Sequence, residues 1–248
     1  MTDAPAPTPA SRESPARRER TPSGILVRTS YPLATIAIAL GTVIVITIVG
    51  FVLGDVDFGL AHALNSLHTG ALGAVTTAVY HVISPAPAIG ITVVVTGVLW
   101  AVHRDIRPAA AFAGTVAITW VPSDLVKELV HRPRPDTSLL PHPFATQPDP
   151  SYPSGHTVFI VAIVIALTWV LRDTRWHTLA VTLGTVVVVV VVLSLTIDAV
   201  HYPTDTVASV VWALAVAPAA RLVWVDWAMP RIPVLRRPAL TARRTARH

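Results

Sequence analysis

The chain has 248 residues, of which 52% are hydrophobic and 13% charged, with a mean hydropathy of +0.59; soluble domains carry about 25% charged residues, so a soluble protein is excluded. Cysteine is absent, which excludes a disulfide framework, a thiolate zinc site and a cysteine nucleophile. A net charge of +5 and a pI near 10.4 would suit nucleic acid, but the basic residues must first be placed relative to a bilayer.

Residues 1–30 are rich in Pro, Ala, Ser, Thr and Arg. They cannot bury enough apolar surface to offset the entropy of ordering and read as a disordered basic tail. Residues 31–54 are uncharged and as a helix rise about 36 Å, enough to cross a ~30 Å hydrocarbon core and too long for a signal peptide's apolar region. In residues 57–68, Leu60, Leu64 and Leu67 fall on one helical face, which predicts an interfacial helix between the first two spans. Residues 71–83 are too short to cross, and Pro85 and Pro87 then interrupt, so this piece reads as interfacial or re-entrant.

The second span follows at 86–102, and the third, at 108–131, ends in Asp124, Lys127, Glu128 and His131, polar residues that need water or a polar cavity. The fourth is 154–171. The fifth, 178–197, contains seven consecutive valines at 186–192; β-branching favours a strand in water, but an isolated strand in lipid leaves its backbone unpaired, so a helix is predicted. The sixth is 203–225, followed by a second basic tail at 226–248. The fold class predicted is all-α, a six-transmembrane-helix bundle over 31–225.

Arginine placement supports the count. Five arginines lie in the first tail, four in short connections (Arg104, Arg107, Arg172, Arg175) and seven from Arg221 onward. Six crossings put all of these on one face, which the positive-inside rule makes cytoplasmic together with both termini. The basic pI is then mostly topology, and nucleic acid is not expected as a partner; the bilayer is, with the tails contacting anionic lipid or opposing translocation.

Three cations break the pattern. Lys127, the only lysine, and Arg132 and Arg134 sit together at the outer end of the third span. An even number of crossings separates them from Pro153-Ser154-Gly155-His156 and from His201 to Asp205, so all three groups share one rim. Each has a plain reading: helical ion pairs for the cations, an N-cap for Ser154, an interfacial turn for His201 to Asp205. Together they supply what phosphoryl transfer needs, namely a helix start that binds phosphate, point and forked positive charge, and two imidazoles. A metal site built from His156, His201 and Asp205 is the competing chemistry, opposed by the repulsion of Lys127 and Arg134.

Lys127 followed after six residues by Arg134-Pro135, then Pro153-Ser154-Gly155-His156, then Ser194 with His201 and Asp205, resemble the three-part signature of the type 2 phosphatidic acid phosphatase (PAP2) family, in its membrane lipid phosphate phosphatase branch. Soluble acid phosphatases and vanadium haloperoxidases share that signature, but the apolar spans argue against both. The resemblance implies a metal- and cofactor-independent phosphatase. In it His201 is the nucleophile that forms a phosphohistidine, Asp205 orients its ring, and His156 protonates the leaving alcohol. Lys127, Arg134, Ser154 and the Gly155 amide would hold the non-bridging oxygens of a lipid phosphate at the outer face, of the undecaprenyl pyrophosphate, phosphatidic acid or phosphatidylglycerophosphate class. One position departs: the family's Ser-Arg pair is Ser194-Leu195 here, so Arg132 is the candidate to lend the missing charge. The alternative is a non-catalytic or weakly active lipid-phosphate binding or transport protein.

Overall fold

The computed structural model describes residues 24–144 and 147–236. The helices run in the order α1 (Pro32–Leu53), α2 (Phe58–Asn65), α3 (Gly70–Val82), α4 (Pro85–His103), α5 (Ile106–Trp120), α6 (Pro122–Val130), α7 (Gly155–Val170), α8 (His177–Ile197) and α9 (Pro203–Arg221). A π-helix, Leu222–Ala228, continues α9. No strand occurs among the described residues, and the seven valines lie within α8.

Helix α7 is the hub. It packs against α5, α8 and α9, while α1 lies along α9 and α4 along α5. Val158, Phe159, Ala162 and Ala166 of α7 are fully buried, whereas α1, α4 and α8 leave most of their large apolar side chains exposed. That inversion of the soluble pattern suits lipid, where helices gain little from hiding apolar surface and associate through close packing at small residues. Gly50 of α1 is such a contact, since a Cβ there would lie 2.6 Å from the buried Tyr152 ring. Ala213, Ala217 and Ala220 give α9 a similarly small inward face.

Among the described residues, five stretches are long and apolar enough to cross a bilayer: 32–53, 85–103, 106–130, 177–197 and 203–231. The predicted fourth span is shorter. Helix α7 has 16 residues, about 24 Å of rise, because the chain before it is spent on the loop that carries Ser151 to Ser154. The predicted third span is interrupted at Val121 and resumes as α6 at Pro122, whose missing N–H and ring break the ladder. Between the first two long stretches, α2 and α3 form as two short helices and pack against α8.

The tail boundaries need correction. Residues 1–23 and 237–248 lie outside the described residues, but Gly24–Leu26 form a 3-10 turn with Ile25 fully buried, packed on α5 and α7. Arg221 donates to the Val27 carbonyl and Thr29 Oγ1, and Thr29 N–H donates to Asp226, 2.9 Å. The start of the second tail is likewise folded, with Met229 and Leu235 buried. Two buried apolar residues, Ile25 and Leu26, dock this stretch, although the average composition around it reads as disordered.

Candidate active site

Helix α6 presents Lys127 on its second turn and stops at His131, which takes a left-handed φ of 53° as its N–H donates to the Lys127 carbonyl. The chain then runs extended through Arg132-Pro133-Arg134-Pro135, because a residue before proline is driven out of the helical region. An ideal strand would put residues two apart on one face, yet the two arginines part company in their partners.

Arg132 turns inward and is 3% exposed. Its Nε donates to the Gly54 carbonyl at 2.7 Å, one terminal nitrogen to Thr204 Oγ1 at 2.8 Å and Asp205 at 2.5 Å, and the other to Asp57 at 2.7 Å. The guanidinium also stacks on the Tyr202 ring, 4.0 Å from its centroid. This corrects the expectation for Arg132: its donors are committed to a buried knot joining the end of α1 to the start of α9, so it does not replace the missing phosphate-binding arginine. Asp57, which also accepts from Thr204 N–H and Oγ1, is a partner that sequence reasoning missed.

Arg134 faces the other way. It donates from Nε to the Asp149 carbonyl (2.9 Å) and from a terminal nitrogen to both Asp149 carboxylate oxygens (2.9 Å each); its other terminal nitrogen reaches the Val200 carbonyl and lies 3.4 Å from His201 Nε2. Lys127 Nζ meets the same carboxylate at 2.8 Å. Burial pushes the Asp149 carboxyl upward, but the hydrogen bond and charge of Lys127, joined by Arg134, more than offset it and bring it down to about 2. No motif spacing marks Asp149, since it lies in the loop between α6 and α7, pinned by its flanking chain.

That loop is held at two more points. Asn65 donates to the His142 and Ile197 carbonyls and accepts from His142 N–H. Ser151 N–H donates to the Arg132 carbonyl at 2.8 Å and Tyr152 OH to the Ile46 carbonyl at 2.9 Å. Ser154 caps α7, its Oγ accepting from Thr157 N–H at 3.3 Å, as the plain reading of serine at a helix start anticipates. Gly155 begins the helix beside Lys127, whose Nζ would lie 4.0 Å from a Cβ at that position.

The two histidines face each other, ring centroids 5.9 Å apart at 66°. His201 is fully buried. Its Nδ1 lies 2.8 Å from the Ser151 carbonyl, which can only accept, so Nδ1 carries the proton and Nε2 is bare. Burial first, then the charges of Arg134 and Lys127, hold its pKa well below the ordinary imidazole range, against the opposing pull of the Ser151 bond. The ring is therefore neutral at pH 7. Asp205 Oδ2 sits 3.5 Å from Nδ1, farther than the Ser151 oxygen, and is engaged by Tyr202 N–H (2.8 Å) and, through Oδ1, by Arg132. The nearest orienting acceptor is thus a backbone carbonyl that no side-chain motif can announce. His156 stacks near Tyr80, centroids 4.9 Å apart, and its Nε2 has no hydrogen-bond partner among the described residues.

The metal reading finds little support in this arrangement. Both His201 nitrogens have neighbours, and the one at Nε2 is a guanidinium, which would repel a cation. Leu195, where the family pattern has arginine, is fully buried in the apolar cluster with Phe159, Val191 and Val200. Beside Lys127, Gly155 and His156 opens a cavity of about 900 Å³ that continues along Ile83, Ile89, Val93, Val116 and Trp120, an apolar groove leading from a polar head.

Residues 108–228 match the family description "PAP2 superfamily". The fold is similar to the crystal structure of a transmembrane PAP2-type phosphatidylglycerolphosphate phosphatase from Bacillus subtilis, with a TM-score of 0.58 and 15% identity over 79% of this chain and 94% of that one. No curated protein matches.

Proposed function

Because residues 108–228 belong to the PAP2 superfamily, we propose that the protein is a multi-pass membrane lipid phosphate phosphatase working through a phosphohistidine on His201. The observation that carries this reading is the pair of facing imidazoles beside Lys127, Arg134 and the first turn of α7. The bare Nε2 of His201 attacks phosphorus, the bond to the lipid alcohol breaks, and His156 gives its proton to the departing oxygen. Water, deprotonated by His156, then cleaves the P–N bond and frees phosphate. Lys127, Arg134 and the α7 amides carry the non-bridging oxygens as charge develops. Asp205 acts on His201 through its field and through the Arg132 knot, with Ser151 as the direct hydrogen-bond acceptor.

The lipid's chains occupy the apolar groove, and phosphatidic acid, phosphatidylglycerophosphate and undecaprenyl pyrophosphate are the substrate class to test. The reading also puts six crossings through the bilayer, α7 included, with α2 and α3 beside the outer interface. Arg28, Arg107 and Arg236 gather around one cavity at the end opposite the histidines, in keeping with a cytoplasmic face there and an extracytoplasmic active site. Purified protein is expected to release phosphate from at least one of these lipids in excess EDTA and to be blocked by vanadate. No release from any of them would overturn the reading.

Burial of Leu195 favours a second reading, weak turnover or binding alone, because Lys127 and Arg134 are then the cations left to hold the anion. Leu195→Arg is expected to lower stability by about 2 kcal/mol or more, an unpaired charge having entered an apolar cluster, with no gain in phosphate release. A rise in turnover measured alongside thermal unfolding would instead show that position 195 opens on the anion site.

A further inference from the structure

The cations proposed to hold phosphate already hold a carboxylate. Lys127 meets Asp149 at 2.8 Å and Arg134 grips both of its oxygens at 2.9 Å, the forked geometry in which a guanidinium also takes two phosphate oxygens. The backbone fixes this aim. Arg134 Nε holds the Asp149 carbonyl at 2.9 Å, and two residues on Ser151 is tied to Arg132 and Pro133. The side chain itself is 43% exposed. It lines both the groove that contains His156 and the outer cavity beside Pro135 and Val200, so rotation about its own Cα–Cβ bond can free the cations while the chain stays in place.

From this geometry we infer that Asp149 is an internal competitor, a monoanion that any ligand must displace from Lys127 and Arg134 and that keeps those cations from being held by the monoanionic phosphodiesters of ordinary membrane lipids. The inference rests on the phosphatase reading for its substrate. A diester headgroup carries one negative charge, the same as the carboxylate it would displace, so exchange gains no net attraction and still costs the ordering of the ligand. A monoester at neutral pH carries close to two, and the extra charge falls between two cations. Because the Asp149 carboxyl titrates at about 2, it competes at every pH where such a protein works. The bilayer surrounds the groove with diester headgroups, and a site holding two open cations would be occupied by them; the competing carboxylate lowers that occupancy.

Isothermal titration of the full-length protein in detergent, with inorganic phosphate at pH 8 as the dianion and dimethyl phosphate as the diester monoanion, tests this. Wild type is expected to bind phosphate at least about tenfold more tightly than dimethyl phosphate. Asp149→Asn, and independently Asp149→Ala, should tighten both anions by a similar factor of about tenfold, since each is relieved of the same displacement cost. Weaker binding of both anions in the variants would overturn the inference, showing that the carboxylate merely supports Lys127 and Arg134. Unchanged affinities, or no binding by any variant, would overturn it too. Because the readout is binding, a protein that releases no phosphate yet binds both anions more tightly once Asp149 is replaced would sink the phosphatase reading and leave this one standing.

Discussion

Replacing His201 with alanine is expected to lower phosphate release from the best lipid substrate by roughly 10³-fold to 10⁶-fold, the range seen when a nucleophile is removed and binding groups remain. The effect is large because Nε2 is the proposed attacking atom, with Nδ1 anchored to the Ser151 carbonyl at 2.8 Å. His201 is fully buried, so alanine also leaves a cavity and an unpaired carbonyl. His201→Asn separates the two effects: its amide can still donate to Ser151, and it should keep the melting temperature closer to wild type while remaining inactive. Acid-labile protein-bound phosphate should appear with wild type and vanish with both variants. Retention of more than about a tenth of the activity by either would remove His201 from the nucleophile's role.

The second large effect falls on stability. Arg132→Met is expected to cost about 3 to 5 kcal/mol, because it leaves the buried carboxylates of Asp57 and Asp205 without their counter-charge. In thermal unfolding this corresponds to a fall on the order of 10 °C for a chain of this size. Burial raises the Asp57 carboxyl, and its hydrogen bonds to Thr204 and Arg132 together with the arginine's charge bring it below its ordinary value, so losing Arg132 removes part of what keeps it ionised. Neutralising the whole knot, Arg132→Met with Asp57→Asn and Asp205→Asn, should recover part of the loss, as removing a complete buried ion cluster costs less than breaking it. A single Arg132→Met variant as stable as wild type would mean that water reaches these carboxylates.

The contrast between Arg132 and Arg134 marks how far the sequence could be read. Apolar length and arginine bias revealed a multi-helix membrane bundle, because both follow from composition alone. The spacing of Lys127, Arg134, His156, His201 and Asp205 predicted residues that the structure brings near one another. The Arg-Pro-Arg-Pro run implies an extended chain, in which residues two apart share a face, so the inward turn of Arg132 was not legible in that pattern. Asp149, Asp57 and the Ser151 carbonyl were not legible: each acts through loop geometry set by contacts tens of residues away, and one is a backbone atom common to every residue. Composition averaged over 30 residues likewise hid the docking of Ile25.

Helix α7 carries a further consequence in its length. Its 16 residues rise about 24 Å, some 6 Å less than the ~30 Å apolar slab it has to match, and His156 stands on its first turn. On the proposed topology the reacting phosphorus therefore lies in a recess below the leaflet's boundary. A long-tailed substrate sinks its head slightly to be processed and never has to be hauled outward. Lifting a tail by a similar distance would strip roughly five methylenes of their oily surroundings at about 0.8 kcal/mol each, or about 4 kcal/mol per tail, and a shortened helix at the centre of the bundle makes that extraction unnecessary.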